Sequence, residues 1–169
     1  KMTQLPKPIV CAVNGVAAGA GVSLALACDL VFAARSAKFI QAFAKIGLVP
    51  DSGSTWFLPH LIGRARAMAL ALTAEPLSAE QAQQWGLIWQ VVEDDALLDT
   101  ALQQARSFAQ GPTYGYGLTK QAIHAASTQS LNEQLELEKQ LQRQAGFSQD
   151  FQEGVQAFLE KRAPNFTGR

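Results

Sequence analysis

Three features of this sequence predict an α/β protein. Short apolar, β-branched runs of strand length recur before residue 93, and a glycine turn leading into a nearly all-apolar helix separates the first two. Beyond Arg64 helical spacing and recognisable helix caps dominate. A chain of 169 residues suits one compact domain and can bury about two thirds of its unfolded surface.

Leu5-Pro6-Lys7-Pro8 reads as a stiff extended lead-in, because each proline fixes its own φ and biases its predecessor toward extended geometry. Residues 9–13, Ile-Val-Cys-Ala-Val, form a buried strand closed by Asn14-Gly15. Gly19 and Gly21 open a helix over 22–28 that is apolar on nearly every face, with Asp29 capping its exit. Residues 30–33 read as a second buried strand and 36–40 as a short third one. From Phe43 to Thr55 a turn, Pro50 and a cluster of cap-forming residues announce a loop that runs into a helix.

Helix is predicted over 64–72. Ser78-Ala79-Glu80-Gln81 is a capping-box start, Trp85-Gly86 a stop, and 87–92 another extended run. A helix from Asp95 ends at Gly111-Pro112, and Thr113 leads a further one to about Ser127. Ser130-Leu131-Asn132-Glu133 is a second capping box, before a helix with Leu131, Leu135, Glu138 and Leu141 in register. Ser148 caps a last helix in which Phe151, Val155, Phe158 and Leu159 share one face.

The strand, glycine turn and helix start over 9–29 present free backbone N–H groups at the positive end of a helix dipole, a place that holds negative charge. The same residues also suit a tight turn with close packing, so chemistry needs a second signal. No Gly-Lys-Ser/Thr follows the turn and no third glycine completes a dinucleotide fingerprint. Ser23 is one glycine short of a nucleophile elbow, lies well past the strand-to-helix corner, and lacks an evident base.

Fourteen basic and fourteen acidic residues cancel, and no basic run marks a nucleic-acid footprint. Residues 16–28 are too short and too rich in Gly and Ala to span a bilayer, and no signal peptide is read. Cys11 and Cys28 read as small core residues in a reducing compartment, the cytoplasm, while His60 and His124 stand alone, so no metal site is expected. Lys1 is not an initiator, and the first recognisable strand is already a central one, as in a chain entered partway.

Asn14-Gly15-Val16-Ala17-Ala18-Gly19-Ala20-Gly21, with Leu24-Ala25 and Cys28-Asp29, resembles the central signature of the crotonase (enoyl-CoA hydratase/isomerase) superfamily. Ala37-Lys38-Phe39, Gly47-Leu48-Val49-Pro50, the run from Leu77 to Ala82, Trp85-Gly86-Leu87 and the run from Glu153 to Arg162 follow in the family's order. The resemblance implies a crotonase-like spiral of ββα units over 1–110 and a C-terminal helical trimerisation region over 111–169. The family's N-terminal part is lacking.

It also implies an enzyme acting on acyl-CoA thioesters, whose thioester oxygen is held by two backbone N–H groups as it becomes an enolate-like anion. One of these matches the N–H of Ala20, with Gly19 and Gly21 letting the backbone approach the ligand. Hydratases of the family add water with two glutamates, and the matching positions are Ser23 and Phe43, which cannot serve as acid and base. The acid nearest the implied acyl pocket is Asp51, which by residue type alone reads as a helix cap and by the resemblance as a proton-shuttling base.

The stretch from Val49 to Pro59, with Arg64-Ala65-Arg66-Ala67-Met68 and the run from Trp85 to Val92, is most similar to members that isomerise a ring-epoxidised phenylacetyl-CoA. An acyl-CoA isomerase is therefore expected. The alternatives are an enoyl-CoA isomerase of fatty-acid breakdown and a non-catalytic scaffold of the same fold. Phe43, Trp56 and Phe57 fit either an aromatic acyl pocket or the core, and Phe158 and Lys161 match positions that contact CoA. A homotrimer or dimer of trimers is implied, with CoA entering as part of the substrate and no other cofactor.

Overall fold

A computed structural model describes all 169 residues, Lys1–Arg169. The chain forms two compact units, Ile9–Gln103 and Lys1–Pro8 with Gln104–Arg169.

The first unit is built on two small sheets. Strands β1 (Val10–Val13), β3 (Leu30–Ala34) and β6 (Gln90–Val92) pair in parallel in the order β1-β3-β6, with Cys11 opposite Val31 and Ala33 opposite Val91. In the second sheet, β2 (Val16–Ala18) pairs in parallel with β4 (Lys38–Ile40), which pairs antiparallel with β5 (Leu77–Ser78). Parallel strands need a crossover between them. Helix α1 (Ala20–Leu26) supplies it, both from β1 to β3 and from β2 to β4.

Val22, Phe32, Leu58 and Leu77 are fully buried at the centre of one core, and Ala33, Ala79 and Ala82 let backbones close on it. Helix α2 (Ser54–Thr73) contributes Leu58, Ile62, Ala67 and Leu70 to that core and breaks at Gly63. Helix α3 (Ala79–Gln84) is capped by the Ser78 hydroxyl, which accepts from the Gln81 amide, and stops at Trp85 as the sequence predicts.

Several expectations are corrected. Residues 16–18, for which the sequence predicts no element, are a strand, because β4 takes up their hydrogen bonds. Helix α1 therefore starts at Ala20, and Leu24 on it is exposed although Val22, Ala25 and Leu26 around it are buried. Asp29 does not cap the helix exit; its carboxylate accepts from the Ile9 amide at 2.7 Å and ties the entry of β1 to that of β3. The lead-in over 5–8 is not simply extended, since the chain bends at Pro6 and Lys7.

Cys11 and Cys28 are half-buried against the core, as small residues should be. They are also neighbours in space, and a hydrogen bond from Cys28 lowers the Cys11 thiol below its ordinary pKa against the opposing effect of burial.

The other unit holds the C-terminal part of α4 (Leu97–Gln110) and helices α5 (Thr113–Ala126), α6 (Leu131–Gly146) and α7 (Gln149–Glu160). Ser130 and Glu133 complete the expected capping box of α6, and the Ser148 hydroxyl accepts from the Phe151 amide at the start of α7. The buried Asp150 carboxylate gathers the amides of Thr167 and Gly168 at 2.7 and 2.9 Å, which folds the chain end onto α7. Lys120 is buried and donates to the carbonyls of Met2 and Lys7. Phe151, Val155, Phe158 and Leu159 share a face as expected, yet that face is exposed and lines a cavity of about 450 Å³.

Candidate functional site: the Gly19–Gly21 bend and the Asp51 loop

The bend is set by competing claims on its amides. The Gly19 N–H extends the β2–β4 ladder, donating to the Ile40 carbonyl at 2.8 Å, and the Val22 N–H closes the first turn of α1 on the Gly19 carbonyl at 3.0 Å. Between them, the amides of Ala20 and Gly21 donate to no backbone acceptor, and both residues are exposed. They are the orphan donors of a helix start, at the positive end of its dipole.

Gly19 has φ 52° and ψ −122°, outside the left-handed region that other residues can reach. Its Cα faces the ring of Phe43, and a β-carbon built there would meet the ring at 3.5 Å. Phe43 is 8 % exposed.

Asp51 stands in a loop that reverses sharply. Ser52 and Gly53 follow it with φ of 53° and 93°, and a β-carbon on Gly53 would meet the Phe57 ring at 2.7 Å. Ser52 is therefore a non-glycine residue held in left-handed geometry, a cost of about 1 kcal/mol that loops bear where a side chain must be aimed. The Asp51 carbonyl accepts twice, from the Ser54 amide at 3.0 Å and from the Ser23 hydroxyl at 3.1 Å. Its carboxylate is exposed and accepts from the Ser52 hydroxyl at 3.0 Å. The carboxylate takes no amide of α2, so the helix-cap reading of Asp51 is not what its side chain does.

Because Ser23 lies three residues beyond Ala20 on α1, Asp51's backbone is anchored about 5 Å along that helix from the Ala20 amide. The structure thus brings three of the sequence-predicted site residues, Gly19, Ala20 and Asp51, onto one short helix and the loop pinned to it. Of the three aromatic residues, Phe43 lies under Gly19 and Phe57 under Gly53, while Trp56 is exposed and stacks on His60 at 4.3 Å. Phe158 and Lys161 stand in the other unit, exposed at the end of α7, where Phe158 rims the 450 Å³ cavity.

Sequence reasoning missed Gln41 and Ser54, both buried. Ser54 Oγ lies 2.5 Å from Ser23 Oγ, and Gln41 Nε2 donates to Ser54 Oγ at 3.4 Å. A signal existed for Gln41: it follows Phe39 by two residues at the end of the run that reads as a strand, so period-two alternation sets both on the inward face. Ser54 carried none, since a serine after Asp-Ser-Gly reads as one more cap residue.

The fold and this bend define a class. The enoyl-CoA hydratase/isomerase family matches the chain over residues 1–169, and the chain belongs to that family. Among its relatives, the 1,2-epoxyphenylacetyl-CoA isomerase of Escherichia coli K12 is 62 % identical over 169 residues, covering all of this chain and 64 % of the relative. The trans-2-decenoyl-[acyl-carrier-protein] isomerase of Streptococcus mutans is 38 % identical over 99 % of this chain and 64 % of the relative. In the crystal structure of an enoyl-CoA hydratase from Bacillus anthracis, 99 % of this chain superposes with a TM-score of 0.95 at 37 % identity, covering 65 % of that chain. The chain spans about 64 % of the length of the curated relatives it matches. No helix is long and apolar enough to cross a membrane.

Proposed function

We propose that the protein of this chain is an acyl-CoA isomerase that converts ring-1,2-epoxyphenylacetyl-CoA to its oxepin isomer. The observation that carries this reading is the anchoring of Asp51, an exposed carboxylate not spent on helix capping, to the helix whose first amide is Ala20. The thioester oxygen rests against the Ala20 N–H, and a backbone donor already aimed at developing charge can contribute about 3 kcal/mol to the transition state. Asp51 takes a proton from the carbon next to the thioester and, once the bond between the two epoxide carbons has opened to give the seven-membered ring, returns it to a ring carbon, so one carboxylate serves as base and then as acid. Water addition is disfavoured, because the positions of the two hydratase glutamates hold Ser23, at 0 % exposure, and Phe43. The likeness to an isomerase of that substrate supports the choice of acyl group.

CoA enters as part of the substrate, with Phe158 and Lys161 as its contacts, in a cytoplasmic homotrimer or dimer of trimers assembled through residues 111–169. No metal or further cofactor takes part in this reading. A second reading, an isomerase of aliphatic enoyl chains, is favoured by the likeness to the decenoyl isomerase. Turnover of the ring epoxide and of an aliphatic 3-enoyl-CoA, measured side by side, decides between them: the proposal expects the ring epoxide to be preferred by at least tenfold in kcat/KM. A preference for the aliphatic thioester contradicts it.

A further inference from the structure

Ser23, Ser54 and Gln41 form a buried polar chain that the proposed reaction does not use. Their exposures are 0 %, 0 % and 2 %, and they come from α1, α2 and the segment after β4. Buried hydroxyls and amides are kept only where their hydrogen bonds are made, so the direction of each bond matters. A carbonyl oxygen can only accept, so the Ser23 hydroxyl must donate to Asp51 O at 3.1 Å. Ser23 has then used its one proton, and the 2.5 Å contact between the two hydroxyls requires Ser54 to donate to Ser23. Ser54 has in turn used its proton, so it accepts from an N–H donor, and Gln41 Nε2 stands 3.4 Å away. The opposite amide orientation would set Gln41 Oε1 against a hydroxyl with no proton left. Oε1 is instead the atom left buried without a partner, and it marks what this one-way arrangement costs.

Each donor polarises the next, so the bond that ends on Asp51 is stronger than an isolated serine–carbonyl bond. That carbonyl also takes the Ser54 amide, and the loop beyond it bends through the left-handed Ser52 and Gly53. We propose that Ser23, backed by Ser54 and Gln41, is a positioning residue: it fixes the Asp51 peptide against the helix that carries the Ala20 amide and so sets the reach of the Asp51 carboxylate. This inference rests on Asp51 being the proton-transferring group.

The test measures kcat and KM for ring-epoxidised phenylacetyl-CoA, with thermal unfolding, in Ser23→Ala, Ser54→Ala, the double variant and Asp51→Asn. One neutral hydrogen bond sets the scale, so kcat falls about fivefold in each single serine variant while KM stays within twofold. Because both serines act through one terminal bond, the double variant is no slower than the worse single one. Ser54→Ala lies on a different helix and carries the same test if Ser23→Ala does not fold. Unchanged kcat in the serine variants, losses that multiply in the double variant, or a rise in KM with constant kcat each overturn the positioning role. Asp51→Asn separates the two readings: if it turns over like the parent, the proposed function itself fails, whereas if it is inactive while the serine variants are unaffected, only the positioning role fails.

Discussion

Replacing Gly19 by alanine perturbs the bend without adding bulk, since the new methyl would touch the Phe43 ring at an ordinary 3.5 Å. The obstacle is conformational. At φ 52° and ψ −122° an alanine would bear about 1–3 kcal/mol of backbone strain. It can escape only by turning ψ most of the way round toward the left-handed well, which rotates the peptide that carries both the Gly19 carbonyl and the Ala20 N–H. That rotation breaks the 3.0 Å bond from the Val22 amide, a loss of about 1 kcal/mol, and still leaves an alanine in the left-handed well at about 1 kcal/mol more, so strain and relaxation cost similar amounts. The variant therefore divides between the two states. At about 2 kcal/mol the Tm falls by roughly 4 to 8 °C. In the relaxed fraction the Ala20 donor points away, and loss of such a donor is worth roughly 100- to 1000-fold in kcat. The expected outcome is a drop of several degrees in Tm together with at least a tenfold fall in kcat on ring-epoxidised phenylacetyl-CoA. Ala20→Gly, which keeps the donor, is the control and should stay within a few-fold. A Gly19→Ala protein with parental Tm and parental kcat would refute the reasoning.

Two further predictions concern the helical unit. Ser130→Ala removes the hydroxyl that caps the Glu133 amide and should lower stability by about 1 kcal/mol with no change in turnover, read by urea unfolding. Glu153 is held down to about 2 from an ordinary 4.5, first by hydrogen bonds from the Arg162 guanidinium and then by the Asn165 amide. A carboxylate whose pKa is depressed by folding contributes stability that is complete above its unfolded pKa and is lost as pH falls through the folded one. The clamp of the chain end on α7 should therefore loosen as pH falls from about 4.5 to 2, seen as a falling protection factor for exchange of the Asn165 amide. Glu153→Gln should show low protection throughout that window, and a parent profile flat across it would contradict the assignment.

The sequence was legible where chemistry is local. Ser78, Ser130 and Ser148 cap their helices as predicted because each motif is complete within four residues. The bend was legible for a similar reason, since Gly19 and Gly21 bracket an amide that no ladder can absorb. What could not be read depends on partners distant in sequence. Residues 16–18 become a strand only because β4 takes their hydrogen bonds, and Leu24 is exposed only because of the side of α1 that meets the core. The most instructive miss is Ser23. Judged as a nucleophile, it lacked a base; its role in the fold is to donate to a carbonyl 28 residues away, which no local motif encodes. Cys11 and Cys28 likewise meet only once β1 and the end of α1 are placed.

The account stands on Asp51 as the group that moves the proton, and its conservative removal tests this most directly. Asp51→Asn keeps the size of the side chain and the carbonyl that Ser23 and Ser54 hold, so the loop should persist and acyl-CoA binding should stay within a few-fold of the parent. Single-turnover isomerisation of ring-epoxidised phenylacetyl-CoA should fall by roughly 100-fold or more, the scale of a lost general acid–base. Parental turnover in a folded Asp51→Asn protein that still binds the thioester would contradict the mechanism outright.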